Sequence, residues 1–291
     1  MHKNIFIIGV DGLIGSSLFN ILESTEHKIF GTSKRLGSKF PYLDITDDEG
    51  RWPEFDELDI IVICAGLTKI KQCQENQSLS YAINVEGVEK IISKYKSSKT
   101  KIIFLSSSHV FSGKIGFVKE TEKVEPLNIY GTHKALAENI ILNNNGLIIR
   151  VTKVIDPNFP LFIDWISKLK SGKKIVAYNN LFASLVPLES LIKTICLAIK
   201  NDWNGIVHLS GPEDTAYDEI AIILARKLKC NNELIISTAG GNIQILGLFK
   251  VNTTLNISSI IKDYNIYLPN TEKLLSDFVA NKHSRIQAVF V

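Results

Sequence analysis

Asn4-Ile5-Phe6-Ile7-Ile8-Gly9-Val10-Asp11-Gly12-Leu13-Ile14-Gly15 is the stretch that decides the fold. An apolar run ends in glycine at Asn4–Ile8, the pattern of a strand buried on both faces. Leu13, Ile14, Leu18, Ile21 and Leu22 then recur at helical spacing. Between strand and helix lies G-x-x-G-x-x-G, one residue wider than the G-x-G-x-x-G dinucleotide fingerprint. Glycines there allow a tight turn, close approach of backbone to a pyrophosphate, and close helix–strand packing. The open N–H groups and dipole of a helix start favour an anion. Gly9, Gly12, Leu13, Ile14 and Gly15 are therefore the expected phosphate cradle. Asp11 would repel phosphate if it pointed inward, so it is expected to turn away and satisfy local backbone donors.

Outward from this turn the same alternation continues. Lys28–Gly31, Asp59–Cys64, Lys101–Leu105 and Leu147–Val151 read as strands, and Tyr81–Ile92 and Tyr130–Leu142 as helices. Strand, helix, strand in this order predicts an α/β fold, a doubly wound parallel sheet of Rossmann-like type. After Val151 the pattern loosens. Phe159–Lys170, Pro187–Ile199 and Tyr217–Leu228 read as helices and Gly205–Leu209 as a strand, and the Asn-, Thr- and Ser-rich stretch from Gly240 resists assignment.

Composition sets the outer bounds. At 291 residues the chain has room for roughly two domains. The hydrophobic fraction of 45 % and charged fraction of 22 % exclude a mostly disordered chain. A net charge of +3 gives no general basic footprint for nucleic acid. No apolar run approaches the about 20 residues of a membrane helix, and no signal peptide is read at the start, so a cytoplasmic location is expected. Cys64, Cys73, Cys196 and Cys230 are widely spread, as isolated reduced thiols would be, and no metal site is expected.

The end of the second strand bears on cofactor choice. An acidic residue there binds a ribose 2′-hydroxyl and repels a 2′-phosphate. Gly31-Thr32-Ser33-Lys34-Arg35 has no carboxylate but offers two hydroxyls and two cations, one an Arg able to grip a phosphate bidentately. NADP(H) is therefore favoured, with NAD(H) as the alternative.

Tyr130-Gly131-Thr132-His133-Lys134 places a phenol and an ammonium at i and i+4 on one helical face. A neighbouring ammonium stabilises phenolate, so Lys134 is expected to lower the Tyr130 pKa. Tyr95-x-x-x-Lys99 has the same spacing but sits before a strand rather than after one. Ligands in open parallel sheets bind beyond the carboxyl ends of strands, and Ser106-Ser107-Ser108 lies at such an end. Tyr130 is thus preferred.

With these residues assembled, the chain resembles the extended short-chain dehydrogenase/reductases. Gly9-x-x-Gly12-x-x-Gly15, Ser107, Tyr130 and Lys134 carry the resemblance. Leu43-Asp44-Ile45-Thr46-Asp47, Cys64-Ala65-Gly66, Ala82-Ile83-Asn84-Val85-Glu86-Gly87, Leu105–Gly113, Pro126–Gly131 and Ala135–Glu138 resemble its supporting segments in order, from about Asn4 to Leu228. Within the family the likeness is to the dTDP-4-dehydrorhamnose reductase group, through Phe162–Trp165 and Gly205–Leu209, with a weaker echo at Thr254-Leu255-Asn256. Asn180–Val186 departs from that group's Asp-Gln-x-Gly-Ser-Pro-Thr stretch, which leaves the substrate open. The family's dehydratases carry Asp-Glu where this chain has Ser108-His109, which argues against dehydration.

The resemblance implies that Ser107, Tyr130 and Lys134 are catalytic. It adds Asp44, Ile45, Cys64, Ala65, Gly66, Tyr130 and Lys134 to Gly9, Gly12, Leu13, Ile14, Gly15 and Thr32–Arg35 as cofactor contacts, and makes Ser107, Ser108, His109 and Tyr130 the substrate contacts. His109 has an alternative reading as an ordinary loop histidine. His133 is read as an ordinary histidine turned away from the Tyr–Lys face, His208 as a hydrogen-bonded core or cleft residue, and Trp165 and Tyr217 as helix-packing residues, with stacking on a base or sugar as the alternative. Interleaved lobes are implied: an NAD(P)-binding domain of residues 1–151 plus about 187–204, and a smaller α/β substrate lobe of 152–186 plus 205–291, with the substrate in a cleft between them. The implied reaction is NADP(H)-dependent reduction of a keto group on a nucleotide-linked deoxysugar. An NAD-dependent sugar-nucleotide epimerase and a non-catalytic nucleotide-binding regulatory subunit are the alternatives. A nucleotide-sugar is the expected partner, with no nucleic acid, no membrane, and a homodimer as a conceivable assembly.

Overall fold

A computed structural model describes residues 2–55, 57–240, 252–264 and 266–280. Strand β1 (Asn4–Ile8) leads through the glycine turn into helix α1 (Leu13–Leu22), and β2 (Lys28–Thr32) follows. The sheet continues with β3 (Ile60–Ile63), β4 (Lys101–Ser107), β5 (Leu147–Val151) and β6 (Gly205–Leu209), in spatial order β6-β5-β4-β3-β1-β2. The pairs β2–β1, β1–β3 and β3–β4 are parallel, with Ile5 beside Ile29 and Ile60, and Ile61 beside Ile102. The order reverses at β1, which puts the carboxyl ends of β1 and β3 beside the glycine turn, the usual place for a ligand in such sheets.

The chain divides into two compact units. One comprises Met1–Phe111, Val124–Arg150 and Thr194–Val207, and the other Ser112–Lys123, Val151–Lys193 and His208–Val291. Of the stretch assigned to the second lobe from sequence, residues 241–251, 265 and 281–291 lie outside the described residues. The first unit's core gathers Phe6, Ile8, Ile61, Ile63, Val88, Ile91, Phe104, Ile141 and Ile148, all nearly or fully buried. Fully burying one such side chain contributes about 1.5–3 kcal/mol. Tyr95 belongs to this core: its ring packs on Phe6 at 5.1 Å and its hydroxyl donates to the Pro53 carbonyl at 2.8 Å. The second unit has its own core, built on Phe162, Trp165, Ile220, Leu224, Leu275 and Phe278.

Three features differ from the sequence reading. The helix expected over Tyr81–Ile92 is a composite: Gln77–Tyr81 is α-helical, Ala82–Glu86 is a π-helical turn, and α2 spans Gly87–Tyr95. Strand β4 runs to Ser107, so Ser106 and Ser107 are strand residues. The second half holds short strands that were not anticipated. Ile175–Tyr178 pairs in parallel with Ile235–Thr238, Lys153–Ile155 pairs in parallel with Leu185–Pro187, and Phe182–Ala183 pairs antiparallel with Thr215–Ala216. Runs this short show too few alternations to register as a pattern. In the stretch left unassigned, Thr271–Val279 is a helix that buries Leu274, Leu275 and Phe278.

Candidate active site

The glycine turn is built by close approach. Gly9 has φ of +93°, and a Cβ there would stand 2.8 Å from the Ala65 nitrogen. A Cβ on Gly15 would stand 2.2 Å from the Gly9 carbonyl oxygen. Neither position accepts a side chain without moving the backbone. Gly12 occupies the N-cap of α1 and supplies no side-chain cap, and Gly12 and Leu13 are exposed while Ile14 is half-buried. The first-turn N–H groups of α1 are thus left for an anion. At the end of β2 the Thr32 hydroxyl is buried and finds no hydrogen-bond partner among the described residues. An uncapped helix start, two turn positions too tight for any side chain and an unsatisfied hydroxyl at the end of β2 fit an anionic dinucleotide.

Asp11 does not follow expectation. Its carboxylate accepts from the Ser33 hydroxyl, and its Oδ1 lies 3.9 Å from Arg35 Nε. The donor it satisfies is a side chain of the neighbouring strand end and not a local backbone group, because the turn directs Asp11 across towards β2. Lys34 is exposed. Asp44 uses Oδ1 to accept from the Thr46 N–H at 2.9 Å and hydroxyl at 2.7 Å. Ile45 is buried in the core. Ala65 and Gly66 follow β3, where the Asn84 side chain holds both polar groups of Leu67, accepting from its N–H and donating to its carbonyl, each at 3.0 Å. Those two bonds give the π-turn that carries Asn84 a physical role. Burial pushes the Cys64 thiol up to about 12, so it remains protonated.

Tyr130 and Lys134 project from the start of helix α3 (Ile129–Asn143). Asn128 caps this helix, its Oδ1 accepting from the Gly131 N–H at 2.9 Å. A Cβ on Gly131 would stand 2.1 Å from the His109 carbonyl oxygen, so glycine is what lets α3 pack against the end of β4. The Tyr130 phenol is hydrogen-bonded to Ser107. Ser107 Oγ also accepts from the His109 N–H at 3.2 Å. Ser108 is buried, and the His109 ring stands edge-on to Tyr130 at 5.8 Å. Lys134 is buried, donates to the Leu105 carbonyl at 2.9 Å, and lies 4.4 Å from the centre of the Phe104 ring.

The electrostatics correct one expectation. Burial pushes Tyr130 up to about 12 instead of down, with the Ser107 bond pulling the other way. The Lys134 ammonium meets the Leu105 carbonyl and the Phe104 face. Burial in turn draws Lys134 down to about 8, opposed by the charge of Glu138.

Ser106, Glu138 and Arg150 form a buried group beneath the site. Glu138 Oε1 accepts from Ser106 Oγ at 2.5 Å and Arg150 Nε at 2.9 Å, and its Oε2 accepts from Arg150 Nη2 at 2.7 Å. A lone Arg inside the apolar run Leu147–Val151 was the available signal, since a buried charge needs a partner. His133 Nδ1 bonds Ser80 Oγ at 2.9 Å, His208 Nδ1 bonds the Val118 carbonyl at 3.1 Å, and Trp165 packs edge-on to Tyr217. Among the described residues no group of three or more His, Cys, Asp or Glu is placed to hold a metal ion, and no helix is long and apolar enough to cross a membrane.

Comparison with known proteins bears on this geometry. The family described as the RmlD substrate binding domain matches residues 3–280. The dTDP-4-dehydrorhamnose reductase of Aggregatibacter actinomycetemcomitans is 24 % identical over 296 residues, covering 95 % of this chain and 98 % of that protein. The methionine adenosyltransferase 2 subunit beta of Xenopus laevis is 23 % identical over 246 residues, covering 77 % of this chain and 71 % of that protein. Among solved structures, the dTDP-4-dehydrorhamnose reductase of Bacillus anthracis, in complex with NADP, superposes with a TM-score of 0.79 at 20 % identity, covering 97 % of this chain and 99 % of that one.

Proposed function

The chain belongs to the RmlD substrate binding domain family, and from that membership we propose that it is an NADP(H)-dependent reductase acting on a keto group of a nucleotide-linked deoxysugar. The observation that supports this reading is the meeting of Ser107, Tyr130 and Lys134 at the carboxyl end of β4, within the unit that also carries the open glycine turn. The relatives named as dTDP-4-dehydrorhamnose reductases agree with it.

When bound, NADPH supplies the hydride and leaves as NADP⁺. Gly9, Gly12, Leu13, Ile14 and Gly15 would hold its pyrophosphate, and Thr32–Arg35, Asp44, Ile45 and Cys64–Gly66 would contact the rest of the dinucleotide. Tyr130, protonated at neutral pH, donates its phenolic proton to the carbonyl oxygen as hydride reaches the carbon. Ser107 hydrogen-bonds the same oxygen where negative charge develops. Lys134 places a positive charge behind the site. Ser108 and His109 line the substrate side. The second unit is the substrate lobe in this reading. The reaction is placed in the cytoplasm, and a homodimer is the assembly carried with it.

The test is Tyr130→Phe. Turnover is expected to fall at least about 100-fold, the usual contribution of a positioned general acid, while NADPH binding survives. Unchanged turnover would sink the assignment. The likeness to a methionine adenosyltransferase subunit supports a second reading, a nucleotide-binding subunit of another enzyme. Co-purification of a stoichiometric partner enzyme, with no ketoreductase activity, would favour that reading instead.

A further inference from the structure

Asp11 sits where the glycine turn meets the end of β2, and its contacts bear on cofactor choice within the dinucleotide reading above. Ser33 Oγ donates to Asp11 Oδ2 and accepts from the Arg35 N–H at 2.9 Å. The Ser33 backbone is also held, its N–H donating to the Pro41 carbonyl at 3.0 Å and its carbonyl accepting from the Leu43 N–H at 2.9 Å. At 1 % exposure the residue has little room to move. Its hydroxyl proton is therefore committed to a carboxylate, and a phosphate oxygen could recruit it only by breaking that bond. Arg35 is tied to the same group: its Nε lies 3.9 Å from Asp11 Oδ1, with the Arg side chain 73 % exposed and the Asp side chain 24 % exposed. Two of the four residues that recommend NADP(H) are thus engaged by one carboxylate.

A phosphate approaching Arg35 must also approach Asp11, whose side chain is 24 % exposed, and the two anions repel. A free ribose 2′-hydroxyl meets no such repulsion and can donate to a carboxylate, as it does to the acidic residue at the second strand of NAD-binding sites. We propose that Asp11 is a specificity-determining residue. Supplied from the glycine turn instead of from β2, it lowers the site's grip on a 2′-phosphate.

The test uses two probes that differ only in the 2′-phosphate, 2′,5′-ADP and 5′-ADP, titrated calorimetrically into the full chain without substrate. Asp11→Asn removes the charge and keeps an acceptor for Ser33. It is expected to tighten 2′,5′-ADP about tenfold and to leave 5′-ADP within about twofold, the size of a close repulsion at a partly screened site. Unchanged or weakened 2′,5′-ADP overturns the proposal, since Asp11 would then be inert or would serve to orient Arg35. A cycle with Arg35→Ala gives a second reading. Arg35→Ala should cost 2′,5′-ADP affinity more in the Asp11→Asn background than in the wild type, and equal losses overturn the proposal. If the wild type binds neither probe and neither NADPH nor NADH, the dinucleotide reading itself falls and takes the inference with it. Binding of both probes with no response to Asp11→Asn overturns the inference alone.

Discussion

At the scale of single residues, Tyr130 and Lys134 are moved in opposite directions by the same cause. Burial penalises the charged form of each, so the phenol rises to about 12 and the ammonium falls to about 8. For reduction this suits Tyr130, which must enter the reaction protonated, and it makes Lys134 the group that titrates first. As pH rises through about 8 the Lys134 charge is lost while Tyr130 keeps its proton. The kcat/KM profile, which reports the free enzyme, should therefore fall on its alkaline side with a midpoint near 8. Lys134→Met should abolish that limb along with most of the activity. A profile that stays flat until the phenol titrates would remove Lys134 from the electrostatic role given to it.

At the scale of elements, α3, β4 and β5 are tied together by the buried trio of Ser106, Glu138 and Arg150. Glu138 stands one turn beyond Lys134 on α3, and Ser106 precedes Ser107 on β4, so the trio fixes the two elements that carry the candidate catalytic residues. Both charged side chains are at most 4 % exposed. Breaking such a pair from one side leaves an uncompensated buried charge, and Glu138→Gln is expected to cost about 3–5 kcal/mol in urea unfolding. Replacing both partners, Glu138→Leu with Arg150→Met, should recover much of that loss. A single substitution costing under about 1 kcal/mol, the range of exposed pairs, would show the pair to be solvated. The legibility of these elements from sequence followed their physics. Asn4–Ile8, Leu13–Leu22, Leu147–Val151 and Tyr217–Leu228 were read with their observed ends, because each carries an apolar period along its full length. The π-turn at Ala82–Glu86 left no trace, since its one-residue slip is stabilised by Asn84 bonding Leu67, a contact 17 residues away. The Asp11–Ser33 contact was equally hidden: spacing shows that a carboxylate sits in the turn but not which way the turn aims it.

At the scale of the molecule, the positions of the charges say more than the net +3. The cations at Lys34 and Arg35 recommended a phosphate, yet the nearest anion, Asp11, is 22 residues from the Ser33 it binds and lies outside any local charge pattern. All the assigned cofactor residues fall in the first compact unit, whereas Asn180–Val186, where the substrate-group pattern breaks down, falls in the second. Two ligand classes therefore test two parts of the chain. A ligand at about 100 times its Kd adds about 2.7 kcal/mol to the folded state. For a chain of this size that is a rise in Tm of roughly 5 °C. Saturating NADPH should raise Tm by that amount, and one of the dTDP-, UDP-, GDP- or CDP-sugars, added on top of NADPH, should raise it again. A second rise with one nucleotide only would identify the base that the second unit selects. A rise with NADPH and none with any nucleotide-sugar would leave a cofactor-binding protein and remove the proposed substrate class, because a substrate that binds the folded state must stabilise it by linkage.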